Sequence, residues 1–159
     1  MTLTDELQQT LSTLSHFSTP ERQIEINDGP RRLRCQLVAL DSLACAFTRL
    51  ALEAESLRNM PTDGLKQTAE RLSARLTYLL EPISPIEVDA QGCVVQMRSN
   101  PPHKQTDRTS YYELLVARSG QLSLCRYARS AGQPREIIPA QVTREVLARL
   151  VADFWAAAP

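Results

Sequence analysis

The chain has 159 residues, in which 18 basic and 18 acidic side chains give a formal net charge of zero. Hydrophobic residues make up 43% and charged residues 23%, as in ordinary globular domains. This composition excludes disordered and collagen-like chains, and no apolar run is long enough to cross a bilayer as a helix. The length predicts a single domain over residues 1–159.

The cysteines indicate neither a metal site nor a disulfide framework. No CxxC pair occurs, and each cysteine lies in an apolar stretch, which predicts buried free thiols at Cys35, Cys45, Cys93 and Cys125. Residues 1–20 are polar and lack the apolar segment of a secretory signal. Free thiols without a signal favour a cytoplasmic location.

The first predicted element is a helix over residues 4–17, with leucines at helical spacing and two acidic residues in its first turn. Asp-Gly at 28–29 then lies between two alternating segments, which is typical of a β-hairpin. Pairing around a two-residue turn predicts these cross-strand pairs: Ile24 with Leu33, and Glu25 with Arg32.

Residues 40–54 fit either a helix or a strand. The strand is favoured because the segment follows another strand directly and alternates at its end. As a strand it would place on one face Ala46, Thr48, Leu50 and Leu52.

A second helix is predicted from an N-cap at Thr62 to about Leu80, where Pro82 prevents its continuation. Its apolar stripe consists of Leu65, Ala69, Leu72, Leu76 and Leu79. Two strands then flank a turn at residues 89–92, with these predicted pairs: Ile86 with Val95, and Val88 with Cys93.

A polar loop over residues 99–109 is followed by a hairpin, for which a two-residue turn at Ser119-Gly120 is predicted. That turn gives three cross-strand pairs: Glu113 with Arg126, Tyr112 with Tyr127, and Leu114 with Cys125. Residues 135–138 are predicted as a short edge strand, and Thr143 as the cap of a final helix.

The sum is an α+β fold of the order α-ββ(β)-α-ββββ(β)-α. We expect one layer of about six to eight mostly antiparallel strands, packed by the three helices.

Motifs of common active sites are missing from the sequence. It has no phosphate-binding glycine loop, no nucleophile elbow and no zinc-protease motif. A histidine-dependent reaction would rest on His103, because His16 lies at the end of the first helix. The sequence therefore favours a non-enzymatic protein without a metal or another cofactor, and it predicts no catalytic residue.

One candidate binding site is the long loop with Pro101, Pro102 and His103. Eleven residues between two strands exceed a usual hairpin connection, and such loops often carry function. The loop could cover a small-molecule site or an active site, and the alternative is a tolerant insertion.

A second candidate site is a strand surface on the outward side of the late strands. Arginines next to a tyrosine could bind single-stranded nucleic acid through Arg98, Tyr111, Arg126 and Arg129. Glu113, paired with Arg126, instead favours a solvated face with ion pairs, so nucleic acid is the less favoured partner.

The last helix offers a third candidate. Phe154 and Trp155 would form a protein interface if the rest of the chain left them exposed, and otherwise they cover the sheet.

The order of elements from Leu3 to Arg98, with the helix from Thr143, resembles that of type III secretion chaperones. The resemblance implies a small cytoplasmic homodimer that binds unfolded segments of a secreted protein. The chain departs from that family in being neutral rather than acidic, and in its additional strands over Tyr111–Arg129. A shared order of elements does not determine a function.

The leading hypothesis is a non-enzymatic cytoplasmic module that binds a protein partner or a second copy of itself, without membrane contact. The alternatives are single-stranded nucleic-acid binding through the arginine and tyrosine surface, and a small-molecule or active site below the 99–109 loop.

Overall fold

The structure, a computed structural model, describes residues 2–14, 16–18, 20–89 and 94–158, with the backbone alone at 86–89. These residues form an α+β fold, as predicted, with three α-helices, two 3-10 helices (Glu55–Leu57 and Leu76–Leu79) and one sheet. The α-helices are α1 (Leu3–Leu14), α2 (Thr62–Arg75) and α3 (Arg144–Ala157). The strands are β1 (Arg22–Asn27), β2 (Arg31–Leu40), β3 (Ala44–Ala54), β4 (Ile83–Asp89), β5 (Val94–Ser99), β6 (His103–Lys104), β7 (Arg108–Ala117), β8 (Gln121–Ser130), β9 (Glu136–Ile138) and β10 (Ala140–Thr143).

The sheet is open and antiparallel, in the order β1-β2-β3-β8-β7-β5-β4. The strands by which the chain departs from the chaperone pattern, β7 and β8, therefore lie in the middle of the sheet. β3 and β8 pair only between Leu50–Glu53 and Gln121–Leu124. Beyond that stretch they separate, and the gap is filled by β9, paired with β8, and β10, paired with β3. We call this arrangement the fork.

All three helices lie on one face of the sheet and enclose the core. α2 packs on β4, β5 and β7, while α3 packs on β2, β3 and β10 and contacts both other helices. The five apolar positions predicted along the second helix are all buried. The sheet residues of this core that are at most 2% exposed are Ile24, Ile26, Leu33, Cys35, Leu37, Phe47, Leu50, Leu52, Ala54, Val95, Met97, Leu114, Val116, Leu122, Leu124 and Ala140.

The predicted registers of the three hairpins are wrong, because each turn lies at other residues than predicted. At the first hairpin, residues 28–30 form the loop, so Ile24 pairs with Cys35 rather than Leu33. The pairing is thus shifted by two residues, which keeps each side chain on its predicted face of the sheet. Glu25 still forms an ion pair with Arg32. At the β4–β5 hairpin, Val88 pairs with Val95, and Cys93 lies outside the described residues.

The β7–β8 hairpin has the more important correction. Its loop has three residues, 118–120, and Gly120 adopts a positive φ of 100°. The actual pairs are Glu113 with Cys125, Tyr112 with Arg126, Leu114 with Leu124, and Tyr111 with Tyr127. Arg126 therefore shares a face with Tyr112 and not with Glu113.

Residues 44–54 form the predicted third strand, but the predicted face is wrong. A register irregularity lies opposite Gln36 and Leu37 and leaves Thr48 unpaired between Phe47 and Arg49. Such a bulge reverses the alternation of side chains. Cys45 and Phe47, rather than Ala46 and Thr48, therefore join Leu50 and Leu52 in the core.

Two boundaries of the second helix are also corrected. Pro61 occupies the N-cap position without a side-chain cap, so Thr62 is the first helical residue. The α-helix ends at Arg75 and continues as the 3-10 helix to Leu79, after which Leu80 adopts a left-handed backbone with φ 64°. Thr143 caps the last helix as predicted, since its hydroxyl accepts a hydrogen bond from the Val146 N–H at 3.0 Å.

The 99–109 segment is not free of secondary structure. β6 lies within it and pairs with β7 through His103 with Ser110 and Lys104 with Thr109. The segment is therefore a short hairpin folded back on β7, which places His103 at a defined position at the end of the sheet.

Three cysteines, Cys35, Cys45 and Cys125, are buried free thiols, as predicted, and Cys93 lies outside the described residues. Burial raises the pKa of the Cys45 thiol to about 11 and that of Cys35 still further. Both are therefore protonated core side chains at neutral pH rather than nucleophiles.

The Gly120→Ala substitution is expected to lower the free energy of unfolding by about 2 kcal/mol. An added Cβ would lie 2.8 Å from Arg58 Cγ and 3.1 Å from the Ala54 carbonyl oxygen, at a backbone angle that favours glycine. Gly132→Ala is the matched control, because Gly132 also has a positive φ (74°) but no atom within 4 Å of the added carbon. Urea unfolding of the two variants should show the larger loss for Gly120, and equal losses would contradict the steric explanation.

Candidate functional site

An open cleft of about 540 Å³ lies on the helix side of the sheet, at the mouth of the fork. One wall is formed by the end of the 3-10 helix that follows α2 and by the two residues after it. The second wall is the β6–β7 hairpin, and the third wall is the connection between β9 and β10. We call it the Arg126 cleft. Its lining residues are Leu79, Leu80, Glu81, His103, Gln105, Arg108, Ser110, Tyr112, Arg126, Ile138, Pro139 and Gln141. Its volume is within the range of small-molecule and side-chain pockets.

Arg126 and Glu81 form the floor of the cleft. The Arg126 Nη2 lies 2.9 Å from Glu81 Oε2, and the two side chains are 13% and 19% exposed. The same Nη2 donates to the Ser110 hydroxyl at 3.1 Å, and the guanidinium lies 4.6 Å from the Tyr112 ring centre. Strand alternation explains the cluster, because Ser110, Tyr112 and Arg126 all project to the helix side of β7 and β8.

The Arg126–Glu81 contact is one-sided. A bidentate pair would use both guanidinium nitrogens and both carboxylate oxygens. Here Arg126 Nη1 and Glu81 Oε1 are both buried and have no hydrogen-bond partner among the described residues. A buried polar atom without a partner costs about 1–3 kcal/mol. Arg126 and Glu81 are therefore joined by a single contact, and a bound acceptor satisfies Arg126 Nη1 when this pair shifts.

The charge of the cleft favours an anion. Arg108 adds a second guanidinium and His103 an exposed imidazole on the β6–β7 wall, against Glu81 as the one carboxylate among the described lining residues. Burial raises the pKa of Tyr112, with Glu81 contributing and Arg126 opposing. Tyr112 therefore keeps its hydroxyl proton at neutral pH and presents a donor.

The rim of the cleft is apolar. Leu80 is 89% exposed and holds a left-handed backbone, which is unusual for a branched side chain. Ile138 and Pro139 lie across the opening. An exposed leucine held in this way at the mouth of a polar cleft offers a contact for the apolar part of a ligand.

The structure separates the residues predicted as one strand surface. Arg126 lies in the cleft together with His103, whereas Arg98 and Tyr111 lie on the other, helix-free face, 5.0 Å apart from guanidinium carbon to ring centre. Arg129 is exposed near the end of β8, where it pairs with Thr109. The one-residue shift of the β7–β8 register is the reason.

The proline positions do not line the cleft. Pro101 is exposed and Pro102 is half-buried in the connection between β5 and β6, and the Asn100–Pro101 peptide is cis. Of the residues singled out in that loop, His103 is the one that the fold brings to the cleft.

The chain itself covers the aromatic pair on the last helix. Phe154 is 0% exposed within the core. Trp155 is half-buried, with the Arg31 guanidinium 4.4 Å from its ring centre and Arg31 Nη1 donating to its carbonyl oxygen at 3.1 Å. In the structure this pair closes the core against the β1–β2 hairpin rather than forming an exposed patch.

Sequence reasoning missed several residues of the cleft. Glu81 has no motif around it and is far from Arg126 in the chain, so their pairing follows only from the tertiary fold. Ser110 and Tyr112 needed the correct register. The one signal available in the sequence is the Leu80-Glu81-Pro82 stop of the second helix, which places a charged side chain directly after a helix end.

No group of three or more His, Cys, Asp or Glu side chains in the described chain is placed to hold a metal ion. None of the described helices is both long and apolar enough to cross a membrane.

Comparison with protein-family models, curated proteins and solved structures gives no match. The resemblance to type III secretion chaperones is therefore one of element order alone.

Proposed function

We propose that the protein is a non-enzymatic binding module, and that the Arg126 cleft binds a carboxylate carried on an apolar body. The observation that carries the proposal is the incompletely paired Arg126–Glu81 floor below an apolar rim. A carboxylate entering the cleft gains charge-assisted hydrogen bonds from the guanidinium groups of Arg126 and Arg108. Its apolar part gains contact with Leu80, Ile138 and Pro139.

The groups in the cleft are better placed to hold a charge than to transfer a proton. Glu81 is committed to Arg126 at 2.9 Å. Tyr112 has a raised pKa because of its burial. The Ser110 hydroxyl is bound to Arg126 rather than to a general base. These contacts favour binding over catalysis.

A polypeptide is the favoured source of the carboxylate, for example a C-terminal residue with an aliphatic side chain. The cleft is open, and Leu80 projects beyond it, so an extended ligand can continue across the rim. The partner is a different protein or a second copy of this chain, and light scattering separates the two, since self-association gives a dimer mass. The buried free thiols favour a cytoplasmic setting.

Single-stranded nucleic acid is less favoured. The surface predicted to bind nucleic acid requires Arg126, Arg98 and Tyr111 on one face of the sheet. The fold places Arg126 on the opposite face from the other two residues. A continuous stacking and phosphate-binding strip is thereby interrupted.

The proposal is tested by calorimetric titration with a short peptide that ends in leucine, prepared with a free carboxylate and as the C-terminal amide. The free acid is expected to bind about tenfold or more tightly than the amide, the effect of one or two charge-assisted hydrogen bonds. The variant Arg126→Met/Glu81→Gln removes both members of the floor pair, so no half-buried charge is left without its partner. It is expected to lose the preference for the free acid.

The matched control is Arg129→Met/Glu136→Gln, which removes one exposed arginine and one exposed carboxylate from neighbouring positions. It should bind the peptide like the unmodified protein. Equal affinity for acid and amide, or unchanged binding by the floor variant, would refute the cleft as the site. If hexanoate bound as tightly as the peptide, the ligand of the cleft would be a small organic acid, and the proposal of a polypeptide ligand would be refuted.

A further inference from the structure

The helix-free face of the sheet is organised around one buried carboxylate. The Glu113 side chain projects from β7 and is only 2% exposed. Gln96 on β5 donates to its Oε1 at 2.7 Å, and Arg98 on β5 has its Nε 3.9 Å from Oε2. Arg135, from the connection between β8 and β9, reaches across the face and donates to the same Oε2. Two guanidinium groups thus share one carboxylate.

A third guanidinium lies on the other side of this centre. Arg49 precedes Leu50, the first residue of β3 that pairs with β8, and Cys125 follows Leu124, the partner of Leu50. Cys125 is in turn the direct partner of Glu113. Arg49 is half-buried, and no described carboxylate lies within 4.0 Å of it. Its Nε is buried without a hydrogen-bond acceptor in the described residues. Arg49 therefore has a donor that the fold does not use.

The centre of the face consequently carries an excess of positive charge. Among the side chains that the structure describes, Arg49, Arg98 and Arg135 face one carboxylate, whereas the neighbouring Arg32 and Arg34 are balanced by Glu25 and Glu53. The field of Arg49 reaches the centre: burial raises the pKa of the Cys125 thiol, and Arg49 opposes that rise. An anion bound between the three arginines would balance this excess.

Carboxylates fit this surface better than a nucleic acid does. Tyr111 is 9% exposed, with the Arg98 guanidinium 5.0 Å from its ring centre, and Arg135 covers the Tyr127 ring at 3.9 Å. Bases therefore find no free aromatic face on which to stack. Guanidinium groups do match carboxylates in geometry, and arginine clusters are a recurrent means of binding acidic motifs.

We propose that Arg49, Arg98 and Arg135 form a second binding site, on the helix-free face, for an acidic segment of a polypeptide. The site lies on the opposite side of the sheet from the Arg126 cleft and does not depend on it. Arg49 is its free anchor, while Arg98 and Arg135 stay paired with Glu113 and offer the exposed parts of their guanidinium groups to the bound carboxylates.

The test is fluorescence polarisation with a labelled oligoglutamate peptide at low salt, with oligoglutamine of equal length for comparison. Oligoglutamate is expected to bind and to be weakened by added salt, and oligoglutamine to stay unbound. Arg49→Gln is expected to lower the affinity about fivefold or more, because it removes the unpaired guanidinium without breaking an ion pair. Arg71→Gln, an exposed arginine on α2 at the other side of the molecule, is the matched control and should bind unchanged.

Three results would overturn the proposal: no binding of oligoglutamate, equal binding of oligoglutamine, or equal loss in Arg49→Gln and Arg71→Gln. A labelled oligothymidine that binds more tightly than oligoglutamate, with the same dependence on Arg49, would assign the surface to nucleic acid instead. The cleft variant Arg126→Met/Glu81→Gln should bind oligoglutamate normally, and a loss there would show that the two sites are not independent.

Discussion

Replacing Phe154 by alanine is expected to lower the free energy of unfolding by about 4 kcal/mol. Phe154 is 0% exposed and lies on the inward face of α3 with Leu147, Leu150 and Val151. That helix packs on β2, β3 and β10 and contacts both other helices. The lost ring leaves a cavity where sheet and helices meet, and the rigid surroundings can fill it only in part.

Trp155→Ala is the control in the same helix. Trp155 is a larger residue, but it is half-buried, and its main contacts are the stacked guanidinium and the hydrogen bond of Arg31. We expect Trp155→Ala to lower the free energy of unfolding by about 1.5 kcal/mol. Urea unfolding with a common slope would compare the two variants. If Trp155→Ala lowered the free energy of unfolding as much as Phe154→Ala or more, the contacts of Trp155 with Arg31 would stabilise α3 more than its buried inward face does.

Local periodicity explains why most elements could be predicted. The leucine spacing of α2 follows from 3.6 residues per turn, and all five stripe positions are buried. The alternation in β2 and β5 likewise identifies the buried residues, such as Leu33 and Met97. These patterns depend only on which side of one element meets the core, so they can be read without knowledge of the neighbours.

Register could not be predicted in the same way, because it depends on backbone geometry in the turns. A loop of three residues at 118–120 instead of two changes the partner of every residue in β7 and β8. The bulge at Thr48, opposite Gln36 and Leu37 of β2, likewise has no signal in the local sequence pattern. The fork itself has no local signal, and β10 was therefore missed.

The Arg126 cleft depends on both features that escaped prediction. Register places Arg126 on the helix side, and the fork brings Ile138 and Pro139 across from Leu80. His103 was singled out, but as part of an unstructured loop, whereas β6 fixes it beside Ser110. A site assembled from four distant segments is predictable only after the topology is known.

Replacing Glu113 by alanine is expected to lower the free energy of unfolding by about 2–3 kcal/mol. The reason is electrostatic rather than a cavity. The side chain is 2% exposed and accepts from Gln96 and Arg135, with the Arg98 Nε 3.9 Å away, so its removal leaves Gln96 without its acceptor and two guanidinium groups without their counter-charge. Arg135 also leads into β9, which carries the Ile138 wall of the cleft, so the variant should bind the leucine peptide more weakly as well.

Glu53→Ala provides the comparison on the same face. Glu53 pairs with Arg34 at 3.3 Å, but both side chains are 38% exposed, and solvent screens the pair. The Glu53→Ala substitution should therefore lower the free energy of unfolding by less than about 1 kcal/mol. Equal effects at Glu53 and Glu113 would show that the arginines around Glu113 are neutralised by solvent. A large effect at Glu113 alone would show that this carboxylate holds the β8–β9 connection on the sheet, and with it one wall of the cleft.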